Sequence, residues 1–208
     1  LFNRQFLSLS HEQSEALCKK RQEWAEHWMA SQKQHSYGPL WQDLLLEPSE
    51  GRRLRIGYLS ADFCNHPVGR FLLPILKHHD RKKFEVWGIN CGPHQDWISE
   101  HLRNNCEHWL DCQFHSDVIA ARIISDLRLD VLVELGGYTS GSRLGILVHR
   151  PAPIQLSYLG FPAPTYLNCI DGWLGDSVLF EQLNPVDHSA HPLIELKGGY
   201  MVFDSGGE

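Results

Sequence analysis

From residue 54 onward the chain alternates short apolar runs with amphipathic stretches, and this alternation limits the fold more than any other feature. The runs at 54–59, 84–90, 107–110, 130–135, 154–159, 171–176 and 193–196 read as strands. Between them, 68–76, 96–104, 116–127 and 143–148 carry apolar residues on helical spacing, whereas 177–192 reads as loop. Strands alternating with helices give an α/β fold: a parallel sheet with right-handed crossovers and flanking helices. The run Asp-Val-Leu-Val-Glu-Leu at 130–135 is almost continuously apolar, as a parallel strand buried on both faces must be. Glu134, near its carboxyl end, is either a satisfied half-buried acid or a site residue.

The first strand leads through Ser60, Asp62, Asn65 and His66 to Pro67, where a helix can start because proline's missing N–H would be unpaired there anyway. In open α/β sheets ligands sit outside the carboxyl ends of the strands, so this loop sets a carboxylate, an amide and an imidazole where chemistry usually happens. The free N–H groups of the next helix suit a phosphate. The plainer alternative is that Asp62 caps the turn and His66 packs beside Pro67. Residues 136–141, Gly-Gly-Tyr-Thr-Ser-Gly, form a tight turn where backbone can approach a ligand. No Gly-Lys-Ser/Thr closes it, and no Gly-x-Gly-x-x-Gly follows the first strand, so neither nucleotide fingerprint is present. Residues 160–165 make a rigid Gly- and Pro-containing loop.

A hydrophobic content of 42% implies a packed core, and a net charge of −6 without like-charge runs argues against nucleic acid as a partner. No apolar stretch is long enough to cross a membrane and no signal peptide opens the chain. The scattered cysteines, with no Cys-x-x-Cys pair, point to reduced thiols and a cytoplasmic location. The histidines form no ligand array and no Asp-x-Asp pair occurs, so no metal is expected; His78 and His79 read as surface positions. Residues 1–50 read as a separate helical segment. Ser10 and Gln13 offer a capping box, and Leu17, Trp24 and Trp28 share a stripe to bury on the following domain or in a partner's groove. Residues 37–48 read as an irregular connector and 205–208 as a linker.

Several stretches together resemble the catalytic region of the O-linked N-acetylglucosamine transferase family, SPINDLY-like members included. They are Arg55-Ile-Gly-Tyr-Leu-Ser-Ala-Asp-Phe63 with Asn65-His66-Pro67-Val68-Gly69, and Val131-Leu-Val-Glu-Leu-Gly-Gly-Tyr-Thr139. Arg150-Pro-Ala-Pro-Ile-Gln155, Leu159-Gly-Phe-Pro162 and Gly198-Gly199-Tyr200 complete the set, in order over residues 50–203. The resemblance implies the first Rossmann-like lobe of a two-lobed, B-type glycosyltransferase at 51–208. Residues 1–50 would be the junction to a tetratricopeptide array. That array and a C-terminal lobe supplying most nucleotide contacts would be missing partners of this chain, which alone is expected to be inactive.

The activity implied is metal-independent, inverting transfer of N-acetylglucosamine from UDP-GlcNAc to Ser or Thr hydroxyls of proteins, with the nucleotide sugar as substrate and no cofactor. By resemblance, Asp62 takes part in removing the acceptor proton, and His66 lies near sugar and phosphate. Asn65 neighbours acceptor and donor, while Gly160 and Pro162 contact the donor sugar. Three departures bear on this. A further family histidine falls before Leu1, Val68 stands where animal members have a small polar residue, and Ala163-Pro164-Thr165-Tyr166 replaces a Gly-Thr-Ser-Gly-like turn. The alternatives are a related transferase using GDP-fucose and a non-catalytic scaffold lobe.

Overall fold

The computed structural model describes residues 9–33, 39–43, 51–183, 187 and 190–204. Its strands are β1 (Leu54–Ser60), β2 (Phe84–Asn90), β3 (His108–Asp111), β4 (Val131–Glu134), β5 (Ile154–Ser157), β6 (Gly172–Gly175) and β7 (Leu193–Glu195). They form one seven-stranded sheet in the order β3-β2-β1-β4-β5-β6-β7. Every neighbouring pair is parallel. The helices are α1 (His11–Lys33), α2 (Pro67–His78), α3 (Trp97–Asn104), α4 (Asp117–Asp126), α5 (Leu144–Val148) and α6 (Ser177–Glu181), with a 3₁₀ turn at Leu40–Asp43.

Alternation along each strand sends side chains to two cores. On one face, Leu59 and Leu132 pack with Ala25 and Met29 of α1, Ile124 of α4 and Ile146 of α5. On the other, Tyr58 and Val133 pack with Leu72 and Leu76 of α2 and with Ile98 and Leu102 of α3. Each fully buried Leu or Ile in these layers contributes roughly 1.5–3 kcal/mol relative to its exposed state. Burial on both faces is why the strands read as apolar runs.

Helix starts follow their caps. Asp96 and Ser99 form a capping box on α3, and the Ser116 hydroxyl accepts the Ile119 N–H at the start of α4. Ser10 and Gln13 bond reciprocally at the head of α1, as their spacing predicts.

Three expectations need correction. Residues 177–192 are not loop throughout, because Asp176 accepts the Leu179 N–H at 2.7 Å and starts α6; residues 184–186, 188 and 189 lie outside the described ones. The buried stripe of α1 runs through Leu17, Cys18, Arg21, Ala25 and Met29, with Trp24 left 37% exposed at its flank. Docking on the domain behind it does hold, since α1 packs against α5 and Trp24 meets the Tyr138 ring edge-on. Cys18 and Arg21 can lie inside because Asp187 receives the Cys18 thiol at 3.3 Å and lies 4.0 Å from the Arg21 guanidinium. His79 is only half exposed, with Nε2 2.7 Å from the Tyr58 hydroxyl, so it is a packing position. Of 37–48, Leu40–Asp43 is a 3₁₀ turn joined to the His149 and Arg150 carbonyls; 37–38 and 44–48, like 205–208, lie outside the described residues.

Candidate active site

The chain leaves β1 toward β2 and β3 on one side, and β4 opens the run toward β5, β6 and β7 on the other. The strand order therefore reverses between β1 and β4, and the crevice at their carboxyl ends is where such sheets bind ligands. Asp62 follows β1 and Glu134 ends β4, so the switch point lies between two acids. Ser60, Asp62, Cys91, Glu134, Gly136, Thr139, Ser142 and Arg143 line a small crevice there.

The loop after β1 turns sharply. The Asp62 N–H donates to Ser60 Oγ at 2.9 Å, and the chain enters α2 through Pro67. The α2 cap is His66, whose Nδ1 accepts the Val68 N–H at 3.3 Å; Asp62 is not the cap. One first-turn amide is thus already taken by an imidazole instead of awaiting a phosphate. Asp62 Oδ2 stands 3.8 Å from the same Nδ1, and the two side chains are 20% and 44% exposed. Because Nδ1 accepts, the neutral ring carries its proton on Nε2.

Asn65 is exposed, and its position is set from two sides. Its N–H donates to Asp96 Oδ2 at 2.6 Å, and its Oδ1 accepts from Arg70 Nε at 2.8 Å. The Asn65 amide and the α3 amides of Ser99 and Ile98 hold the Asp96 carboxyl below its ordinary value. Arg70 in turn lies over the Trp97 ring at 5.6 Å.

Gly160 belongs to the same assembly. Its N–H donates to the Leu135 carbonyl at 3.0 Å, and a Cβ there would lie 2.1 Å from that oxygen and 2.9 Å from Val68 Cγ2. Only glycine permits this approach to β4 and α2. Pro162 follows, half-buried. The structure thus brings Asp62, Asn65, His66 and Gly160 around the start of α2, with Pro162 two residues further along its loop.

Glu134 is a satisfied acid, fully rather than half buried, and it lines the crevice. It is 2% exposed. Oε1 accepts the Gly136 N–H at 2.6 Å and the Gly137 N–H at 2.9 Å, and Oε2 also takes the Gly137 N–H at 2.9 Å. Burial pushes its carboxyl up to about 7, against the pull of these amides and with the Asp62 charge adding to the rise. The Gly136 and Gly137 amides therefore face inward, away from any ligand. Gly137, at φ +53°, lies so close to Phe161 that a Cβ would come within 2.3 Å of it. A lone carboxylate in an apolar run, two residues before Gly136-Gly137, is the available signal.

A doubly wound parallel lobe with polar side chains gathered at its switch point defines a Rossmann-like α/β domain. Residues 6–201 match the description of glycosyl transferase family 41. The chain belongs to that family. It is 34% identical over 158 residues to the probable UDP-N-acetylglucosamine–peptide N-acetylglucosaminyltransferase SEC of Arabidopsis thaliana, covering 74% of this chain and 16% of that one. It is 37% identical over 133 residues to the Caenorhabditis elegans UDP-N-acetylglucosamine–peptide N-acetylglucosaminyltransferase, covering 62% and 11%. Among solved structures, a mutant of the Thermobaculum terrenum O-GlcNAc transferase superposes with a TM-score of 0.77 at 28% identity, covering 90% of this chain and 35% of that one. The chain thus spans under a fifth of the length of these curated relatives.

Among the described residues, no three or more His, Cys, Asp or Glu side chains gather to hold a metal ion, and no helix is long and apolar enough to cross a membrane.

Proposed function

We propose that this chain is the first lobe of a protein O-glycosyltransferase that moves N-acetylglucosamine from UDP-GlcNAc to Ser or Thr hydroxyls, inverting the anomeric carbon and using no metal. Residues 51–208 form the lobe, and residues 1–50 join it to a tetratricopeptide array. A second lobe holds most of the nucleotide. The observation that carries this reading is the Asp62–His66 pair, 3.8 Å apart and partly exposed at the switch point of a family 41 lobe.

The geometry divides the labour. His66 Nδ1 is committed to the Val68 N–H, so the ring offers Nε2–H as a donor toward a sugar or phosphate oxygen. Asp62 is left as the acceptor of the hydroxyl proton, a role typically worth 10²–10⁴-fold. Asn65 stands beside this pair toward the acceptor, and Gly160 and Pro162 border the donor sugar. Helix and backbone dipoles stabilise the leaving diphosphate.

The test uses the full-length protein with UDP-GlcNAc and GDP-fucose as rival donors, because the 163–166 segment departs from the family's turn. Transfer from UDP-GlcNAc is expected. Asp62→Asn should lower kcat by about 10²–10⁴-fold. His66→Asn keeps a good cap residue while removing Nε2–H, so it should lose activity without losing stability. Normal transfer rates in both variants would end the assignment, and transfer from GDP-fucose alone would replace the donor.

A further inference from the structure

Gly160 and Pro162 lie on the loop after β5, whereas the acid that organises the neighbouring turn sits at the end of β4. Glu134 and Ser157 are register partners, so both loops leave the sheet side by side. Contacts tie them together. The Glu134 carboxylate holds the Gly136 and Gly137 amides, and Gly137 abuts Phe161 so tightly that no side chain fits between them. Phe161 is 4% exposed and meets the Tyr138 ring edge-on at 5.7 Å. Gly160 closes the arrangement with its hydrogen bond to the Leu135 carbonyl.

We infer that Glu134 is a positioning residue for the donor side of the site. Its buried carboxylate fixes the Gly136–Gly137 turn, the turn seats Phe161, and Phe161 sets the Gly160–Pro162 loop. This rests on the reading of that loop as a donor-sugar contact. A buried acid used only to satisfy local backbone needs no Phe161 above its turn. Here its amide partners are the residues that the next loop is packed on.

The experiment takes the full-length protein in wild-type, Glu134→Ala, Glu134→Gln and Phe161→Leu forms. Steady-state kinetics vary donor and acceptor separately, and hydrogen exchange follows the Gly160 amide. Misplacement by about 1 Å can cost on the order of 100-fold, so Glu134→Ala should raise the donor KM tenfold to a hundredfold and leave the acceptor KM within twofold. Glu134→Gln keeps an Oε1 acceptor for both glycine amides and should restore most of the loss. Phe161→Leu leaves the carboxylate untouched and should raise the donor KM in the same direction, which keeps the test decisive if Glu134→Ala fails to fold. Gly160 exchange should quicken in Glu134→Ala and Phe161→Leu but not in Glu134→Gln.

An unchanged donor KM in Phe161→Leu, an equal rise for donor and acceptor, or unaltered Gly160 exchange would each overturn the inference. The exchange result needs no turnover. Quickened exchange in a protein that transfers no sugar would sink the functional reading and keep the positioning one, and the reverse pattern would do the opposite.

Discussion

Replacing Glu134 by Gln should change how stability depends on pH, by an amount the structure fixes. The carboxyl is 2% exposed, and burial moves it from an ordinary 4.5 up to about 7. One pKa unit corresponds to about 1.4 kcal/mol, so the full effect is about 3 kcal/mol. The sign follows from which state holds the proton. Between pH 4.5 and 7 the folded protein keeps Glu134 protonated while the unfolded chain has released it. Stability is therefore fully present below 4.5 and is lost as pH rises through about 7. Between pH 5 and 8 this one group should remove about 2.5 kcal/mol from the wild-type protein. Glu134→Gln carries no ionisable proton there and still offers Oε1 to the Gly136 and Gly137 amides. Urea unfolding of both proteins at pH 5, 6, 7 and 8 measures the difference, with the midpoint read at constant slope. The glutamine variant should gain on wild type steadily as pH rises. Parallel curves, or a wild type that gains on the variant toward pH 8, would show that desolvation does not dominate at this site.

Gly160→Ala should be damaging out of proportion to its size, since its Cβ would lie 2.1 Å from the Leu135 carbonyl oxygen; a loss of about 1–3 kcal/mol in thermal or urea unfolding is expected. Asp130→Asn should cost about 1.5–3 kcal/mol, because both Asp130 oxygens lie 2.7 Å from Arg52 and Oδ2 also takes the Arg55 N–H. Burial alone would raise the Asp130 carboxyl, but Arg52 and the Arg55 amide hold it below 3.8, so this contribution is present above 3.8 and fades as pH falls below it. Ala25→Glu should detach α1, because Ala25 is fully buried against the β-sheet layer, and trypsin should then cleave rapidly at Lys19, Lys20 or Arg21. Unchanged proteolysis would show that α1 is held by its other contacts.

The strands were legible because the physics that buries them is local. A parallel strand covered on both faces must be apolar at nearly every position, and Val131 to Leu135 shows this in the bare sequence. The caps were legible for the same reason: Asp96 and Ser116 open their helices within one turn of themselves. Helix α6 is not legible because none of its five residues is buried, so no apolar face marks it, whereas all five of α5 are; Asp176 is nonetheless a usable start signal. The α1 stripe is not legible locally because Cys18 and Arg21 are buried only through Asp187, a partner far along the chain. His79 was placed at the surface for a like reason, since Tyr58 precedes it by 21 residues.

The candidate site was half legible. Asp62, Asn65 and His66 lie in one loop, so their proximity is a property of sequence. Their meeting with Glu134 and Gly160 is a property of strand order, which no residue encodes by itself. Only when β4 pairs with β1 does Glu134 come opposite Leu59 and share a crevice with Asp62. Pairing β5 with β4 then brings Gly160 to the Leu135 carbonyl and against Val68. Two acids facing one crevice also act on each other, and the Asp62 charge helps keep the Glu134 proton in place.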